Sequence, residues 1–536
     1  LRTTDNGVIV LTVTTGELVV NGGTGELSAV GLLAGGTGNV RLDAVDGDLT
    51  LNARLDAGSG HLSLLAGRTL TQADAGDLTT SGIGTIDIQA DAIDMKAGAT
   101  TTATEGTIRY VATNTLALGH VSTGGDASLS AASITDSNDA TLNVSANQLR
   151  IVTTGTGVGQ GAGATDNHLE TDVNRLAASV AGPGGLFLSE ADGITIGALN
   201  AITTNRVGAD GTDSALTDDA LGDLASAGHL VLETASGAIE TLATGGEVTA
   251  AGNLLLKAGG LDSDLTLGAD VLSRGGHISV HAGRDLLQNA DIETEADAKT
   301  IDLLAGGALT MAPTIGISSM NGNIRLQAGS AIGLTTITAG TGDVVLTTGN
   351  GGSIVDSEAE AGAVNITATD LILTAGVGIG TGTNALESTV TRLAAAAGSG
   401  GLFITETNGV TVDALSVDVQ RVESSAGSDV VNTTAKDLRT TDNGAIVLVT
   451  GGDLILNAGS VGSKALEADG SGNVDLHATG ALTLNAGLDA GSGHLSLLAG
   501  STLTQADAGD LTTTGTGTID VQADAIDMKA GATSTA

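Results

Sequence analysis

One short beat recurs along this chain and limits what it can fold into. GNVRLDA at Gly38 returns as GHLSLLA at Gly60, GTIDIQA at Gly84, GTIRYVA at Gly106 and GDASLSA at Gly125. Later copies are GNLLLKA at Gly252, GHISVHA at Gly276, GNIRLQA at Gly322, GAVNITA at Gly362, GNVDLHA at Gly472, GHLSLLA at Gly493 and GTIDVQA at Gly517. The third, fifth and seventh residues are apolar or small, as in Val40, Leu42 and Ala44, so alternate side chains of one strand face a core. A second alternating run often follows, such as DLTLNA from Asp48, AIDMKA from Ala92 and ALTLNA from Ala481. Coils of about 20 to 24 residues, each with two or three short strands stacked about 4.8 Å from the next, make a parallel β-helix. The bias of parallel crossovers predicts a right-handed one.

Composition agrees with a thin interior. Only one Tyr (Tyr110), two Phe (Phe187 and Phe403) and no Trp stand among 536 residues, yet 41% are hydrophobic and 82 are Gly. Such a core is filled with aliphatic and small side chains in place of large aromatics. A net charge of -41, from 61 acids against 20 Lys and Arg, argues against nucleic acid and anionic membrane surfaces. The absence of Cys removes thiolate chemistry and agrees with an extracellular setting. No apolar run reaches the roughly 18 to 20 residues that span a bilayer.

Longer repetition overlies the beat. LRTTDNG at Leu1 to Gly7 recurs at Leu438 to Gly444, and Asp56 to Ala103 recurs as Asp489 to Ala536 with substitutions only at Arg68, Ser81, Ile83, Ile88 and Thr101. Residues 1–437 therefore read as one long repeat and 438–536 as the start of the next, in a continuous solenoid that is a window on a longer chain. The long repeat is itself doubled: NHLETDVNRLAASVAGPGGLF from Asn167 matches NALESTVTRLAAAAGSGGLF from Asn384.

Those doubled segments hold what looks most like chemistry. Gly376, Gly378, Gly380 and Gly382 precede Asn384, and a strand ending in Glu406 follows, which resembles a dinucleotide-binding turn. Thr381 and Thr383 spoil the glycine spacing, and two cofactor sites per long repeat would be odd. The alternative is an amphipathic helix at each segment, near 167–181 and 384–397. Asn167 with Glu170, and Asn384 with Glu387, have capping-box spacing. Leu169, Val173, Leu176 and Val180 fall on one face, as do Leu386, Val390, Leu393 and Ala397. The expectation is two short helical excursions laid on the solenoid wall.

Other candidates are weaker. His61, His229, His277 and His494 occupy the second motif position, where Asn and Thr also stand, so the place asks for a polar corner residue. His277 and His281 would lie about 13 Å apart along a strand, too far for one metal. Asp210, Asp213, Asp218, Asp219 and Asp223 crowd GADGTDSALTDDALGD, read as an acidic loop without EF-hand spacing, with calcium as its minor alternative. Phe187 and Phe403 read as inward core residues, and Tyr110 as an outward ring. The outward fourth positions (Arg41, Ser63, Asp87, Arg109, Ser128) should stack rung on rung, pairing Asp87 with Arg109 and Asp302 with Arg325 as exposed ion pairs worth about 0 to 1 kcal/mol each. No catalytic, cofactor-binding or metal-binding residue is assigned.

The repeated G-x-[ILV]-x-[ILV]-x-A coil and the N-x-L-E-x-x-V-x-R-L-A-A segment with its GGLF resemble the filamentous haemagglutinin-like exoproteins of two-partner secretion, giant bacterial surface adhesins. The resemblance covers essentially the whole chain through a degenerate motif, and the amino-terminal secretion domain of such proteins is not in this window. It implies a structural or adhesive β-helix rod, extracellular or on the cell surface, not an enzyme, without nucleotide or nucleic-acid ligands. Its partners would be another cell's surface or further copies of itself. A carbohydrate-active β-helix enzyme is the alternative, needing a groove of carboxylates and aromatic platforms. An ice-binding solenoid would need Thr at one face position on successive coils, where these residues are mixed.

Overall fold

In the computed structural model, which describes residues 1–23, 29–161, 167–357, 363–460 and 464–536, the chain is an all-β parallel solenoid of about 21 coils. Contacts divide it into two compact units. The first comprises Leu1–Gly260, Gly268–Asp270 and Glu423–Gly427, and the second Leu261–Leu267, Val271–Val422 and Ser428–Ala536.

In the first unit the motif strands stack in register as the beat requires. Val40, Leu42 and Ala44 lie over Leu62, Leu64 and Ala66, then Ile86, Ile88 and Ala90, then Ile108, Tyr110 and Ala112. All of these residues are buried, the first two of each trio completely. Ladder hydrogen bonds between coils satisfy the backbone, and the aliphatic stack inside removes water from both sides of each inward row. The second unit repeats this with Ile278, Ile301, Ile324 and Val344 in one column. Coil length is less regular than the beat: Ile108 lies over Ala127 but Ile9 over Val40, so coils without a strap run from 19 to 31 residues between motif strands. The copy GAVNITA begins at Gly362, outside the described residues. Its Ile366–Thr367 pairs with Ile337–Thr338, and the motif-face strand of that coil is Asp370–Thr374, four residues later.

The expected helices are absent. The described residues contain no helix, and the first segment is one strand, Leu169–Val180. Its alternating buried residues are Leu169, Thr171 and Val173, then Leu176, Ala178 and Val180, with Asn174 exposed and Arg175 half-buried between the two runs and Ala177 buried on the opposite face. Two period-2 runs are thus joined across a corner. The skipped step leaves large apolar residues spaced four, three and four apart, which imitates a helical stripe. The second segment does the same as Leu386–Thr389 and Arg392–Ala397, burying Leu386, Ser388 and Val390, then Leu393, Ala395 and Ala397. The supposed capping residues bind neighbouring coils: Asn384 Nδ2 donates to the Asp356 carbonyl, and the Glu387 amide donates to Asn365 Oδ1 at 2.9 Å.

These segments are junctions at which the stack changes phase. On its upstream side Leu169–Val180 pairs with Val144–Thr153. On its downstream side it divides: Leu169–Thr171 pairs with Leu188–Glu190, Arg175–Leu176 with Thr195–Ile196, and Ala178–Val180 with Leu224–Ser226. The next motif strand, Leu230–Thr234, stacks on Gly185–Glu190, so the motif moves to another face of the coil. In the second unit Arg392–Leu393 likewise pairs with Thr411–Val412, and Ala395–Ala397 with Leu438–Thr440.

Where each column divides, the chain leaves the coil as an antiparallel hairpin, here called a strap. The first strap pairs Ile202–Val207 with Asp213–Asp218, and the second pairs Leu415–Val422 with Ser428–Ala435. Of the crowded aspartates, Asp210 is at the tip of a hairpin and Asp213 and Asp218 are on its return strand, while Asp219 and Asp223 follow it.

Candidate functional site: the strapped faces

Each strap lies across the outward side of motif strands in its own half-repeat, and the two contact sets match. In the first unit Asp87 points outward from Ile86–Ala90 yet is 0% exposed. Its Oδ1 accepts from Arg109 Nη1 on the next coil at 3.0 Å, and its Oδ2 from Arg206 Nε of the strap at 2.5 Å. Arg109 Nε also donates to both oxygens of Asp218 on the return strand, each at 3.0 Å. In the second unit Asp302, again 0% exposed, takes Arg325 Nη1 at 2.8 Å and Arg421 Nε at 2.6 Å. The rung-to-rung pairs therefore stand where the motif alignment puts them, but they are buried. The straps cover them, so the value for exposed pairs does not apply.

Main-chain bonds run beside each clasp. The Val207 amide donates to Ser63 Oγ at 2.8 Å and the Val422 amide to Ser279 Oγ at 2.8 Å. The Asn205 amide donates to Thr85 Oγ1, and the Gln420 amide to Thr300 Oγ1. Burial raises the Asp302 carboxyl, but the neighbouring His281 side chain and the Arg325 and Arg421 guanidiniums outweigh it and hold the group down at about 2. His281 Nε2 is 3.7 Å from Asp302 Oδ2, so the two guanidiniums supply its close contacts. The second strap adds an apolar seat: Leu415, Val417 and Val419 pack on Val345, Ile372 and Ala394, which point outward from their strands.

The histidines serve the ladder between coils. Nδ1 of His61 accepts the Thr85 amide at 3.1 Å, that of His277 the Thr300 amide at 3.0 Å, and that of His229 the Asn253 amide at 2.9 Å. Asn39 Oδ1 does the same for the His61 amide. The second motif position is thus an acceptor for the next coil's N–H, a task Asn and neutral His share. Burial, with Lys299 nearby, lowers His277 to about 4 and keeps it neutral.

The acidic residues at the junctions are internal. Glu190 Oε2 accepts from Thr171 Oγ1 at 2.7 Å, and its Oε1 from the Val173 amide at 3.1 Å. Glu406 repeats this with Ser388 Oγ at 2.6 Å and the Val390 amide at 3.0 Å. Each brace serves a backbone group freed at the corner, and burial raises Glu190 to about 7 and Glu406 in the same direction. Glu406, the strand-end acid of the dinucleotide-like stretch, is thus an internal brace. Gly380 has φ +60, and a Cβ there would lie 2.4 Å from the Phe403 carbonyl, so its glycine is needed for a tight crossing of strands.

The aromatic residues are reversed from expectation. Tyr110 is the fifth motif residue and sits fully inside, its hydroxyl 2.7 Å from Thr101 Oγ1. Phe187 and Phe403 lie on outward positions, because Leu186 and Leu188, or Leu402 and Ile404, take the inward ones. Phe187 packs against His168 with ring centroids 5.8 Å apart and lines a cleft of about 530 Å³ with Gln160, His229 and Ala426. The five aspartates of the first strap do not converge. Asp210 caps Thr212, Asp213 accepts from Asn39, Asp218 binds Arg109 and Ser128, Asp223 accepts the Glu247 amide, and the Asp219 carbonyl accepts Arg150. Among the described residues the acids close enough to share an ion are Asp172, Glu190 and Asp192, of which Glu190 is the brace already described.

Sequence reasoning missed the straps. Their signal was present in LSVDVQRV, an alternating run away from the beat, and in strands such as Val344–Thr348 and Asp370–Thr374 that are apolar on both faces. No family model, curated protein or solved structure matches this chain.

Proposed function

We propose that this chain is a structural repeat segment of a large extracellular or surface-borne bacterial protein of the filamentous haemagglutinin-like kind, serving as a stalk or fibre that holds other parts at a distance. The observation that carries this reading is the clasp built twice. Asp87, Arg109 and Arg206 in one half-repeat, and Asp302, Arg325 and Arg421 in the next, use conspicuous polar chemistry to fix a hairpin on a wall. Duplicating a spacer lengthens it without disturbing its neighbours, because coils pair with adjacent coils and each strap is seated within its own long repeat. Adhesion, whether to another cell or between copies, is the activity such a stalk would serve. The motif resemblance supports the extracellular assignment.

The competing reading is a polysaccharide lyase or hydrolase, and the Phe187 cleft is where its substrate would sit. In-frame removal of one long repeat from the full-length protein on its producing cell separates the two. The structural reading expects continued surface display and a shorter projection by cryo-electron tomography. Loss of a glycan-cleaving activity with display intact would favour the enzyme.

A further inference from the structure

Each half-repeat carries two acids at the foot of its junction whose buried oxygens meet no donor. In the first, the strand Asp126–Asp136 ends in a turn that leads to Asn143, and Glu170 lies on the next coil, its carbonyl taking the Asn143 amide at 2.9 Å. Asn143 stands between the acids. Its Nδ2 donates to Asp136 Oδ1 at 2.8 Å, and its Oδ1 accepts the Glu170 amide at 2.8 Å. Asp136 is only 8% exposed, yet its Oδ2 is buried without a hydrogen-bond partner, and so is Oε2 of Glu170. Burial, then the charges of Asp136 and Asp139, push Glu170 up to about 7. The second half-repeat keeps this frame. Asn365 Nδ2 donates to Asp356 Oδ1 at 3.0 Å, Asn365 Oδ1 accepts the Glu387 amide at 2.9 Å, and Glu387, 8% exposed, has its Oε2 buried without a partner.

We infer that each of these places binds a calcium ion, held by Asp136 and Glu170 in the first half-repeat and by Asp356 and Glu387 in the second. A carboxylate oxygen shut off from water without a donor is costly, and the charges acting on Asp136, Glu170 and Glu387 are those of other acids, so a divalent cation supplies what the side chains around them do not. The Asn138 amide distinguishes two states of the turn. With Nδ2 inward it donates to the Thr141 carbonyl at 2.8 Å and to Asp136 Oδ1 at 2.7 Å, and the turn closes on itself. With Oδ1 inward it accepts from Asn143 Nδ2 at 2.9 Å, and the Asn138, Thr141 and Asp136 oxygens meet in a set that a cation satisfies. Carboxylate, amide and carbonyl oxygens are the ligands of a hard cation. Drawn from a turn and the next coil, they suit calcium, whose coordination is adaptable, better than magnesium, which demands a near-ideal octahedron. The trio at Asp172 and Asp192 differs, because its inner member Glu190 already has both oxygens taken by Thr171 and Val173. The bound ion fastens the turn to the first strand of the junction, where the stack changes phase.

The test is calorimetric titration of calcium chloride into the chelator-treated 536-residue chain, in enough sodium chloride to screen its acidic surface. The expected result is saturable uptake of one ion per half-repeat, with a Kd of about 10⁻⁴ to 10⁻³ M, the range of extracellular calcium modules. Glu170→Gln should remove one ion and Glu387→Gln the other, and Asp136→Asn should weaken the first about tenfold or more. Calcium should raise the melting temperature of the unmodified chain, by less in Glu170→Gln, and magnesium at the same concentration should not match it. Gln keeps the shape of Glu without its charge, so the metal-free Glu170→Gln chain should show the circular dichroism of the unmodified one, which separates a lost ion from a lost fold. Absence of saturable uptake overturns the proposal and leaves the turn closed by Asn138. Uptake indifferent to Glu170→Gln and Glu387→Gln overturns it, as does stabilisation that magnesium matches. Uptake lost with Asp172→Asn instead places the ion at the exposed trio and overturns it as well.

Discussion

Arg421→Gln isolates what the second clasp contributes. Asp302 is fully buried between Arg325 Nη1 at 2.8 Å and Arg421 Nε at 2.6 Å, and the Arg421 side chain keeps a quarter of its surface in solvent. Two unit charges about 4 Å apart interact by roughly 4 kcal/mol at an effective dielectric near 20. Breaking a fully buried pair costs about 3 to 5 kcal/mol. Partial exposure of Arg421 and the remaining Arg325 reduce that to roughly 2 to 3 kcal/mol. The cost should appear as local opening of Leu415–Ala435, since coil pairing does not pass through the strap. Native-state hydrogen exchange should therefore show faster exchange at the Val422 and Gln420 amides, which donate to Ser279 and Thr300, while the ladder at Ile301 and Ile324 stays protected. Asp302→Asn in the Arg421→Gln background should not restore the loss, because Arg325, itself buried, then loses its carboxylate partner. Opening free energies within about 0.5 kcal/mol of the unmodified chain would refute the clasp as the strap's main polar anchor.

Further outcomes follow from the same contacts. Glu170 and Glu190 are raised by burial to about 7, so the folded state takes up their protons first, and this contribution grows as pH falls from about 7 toward 4.5. Lowered His277 opposes it between its ordinary value and about 4, and Asp302 adds a loss only as pH drops toward 2. Melting of the chain should rise from about pH 8 to about pH 5, and a rise unaltered by Glu190→Gln would disprove the assignment. Val173→Asp places a charge in a strand core position only 2% exposed, so it should cost about 3 to 5 kcal/mol, whereas a residue on a surface helix would cost about 1 to 3, as read by denaturant titration. Gly380→Ala should cost about 1 to 3 kcal/mol through its positive φ and the Phe403 carbonyl, and an unchanged midpoint would contradict that crossing.

The coil was legible because its period-2 pattern recurs in phase, and Ile86, Ile108, Ile301 and Ile324 stand in the columns it predicts. Stacking of Asp87 on Arg109 followed from the same alignment. The junctions were misread because a corner between two strand runs, at Asn174 and Arg175, reproduces helical spacing that only the paired coils distinguish. The straps were hidden for another reason. Their partners lie far off in sequence, Arg206 with Asp87 and Arg421 with Asp302, so a local pattern shows that a strand is possible but not what it covers. Tyr110 was assigned outward against its own position in the motif, which places it with Ile88 and Leu129 inside.

The proposed stalk is tested most directly by length. A chain carrying residues 2–438 twice joins identical LRTTDNG boundaries and adds one long repeat in register. At about 4.8 Å per coil, cryo-electron microscopy of the purified protein should show particles longer by roughly 80 Å at unchanged width. Particles that gain mass without gaining length, or a chain that no longer folds, would contradict the account.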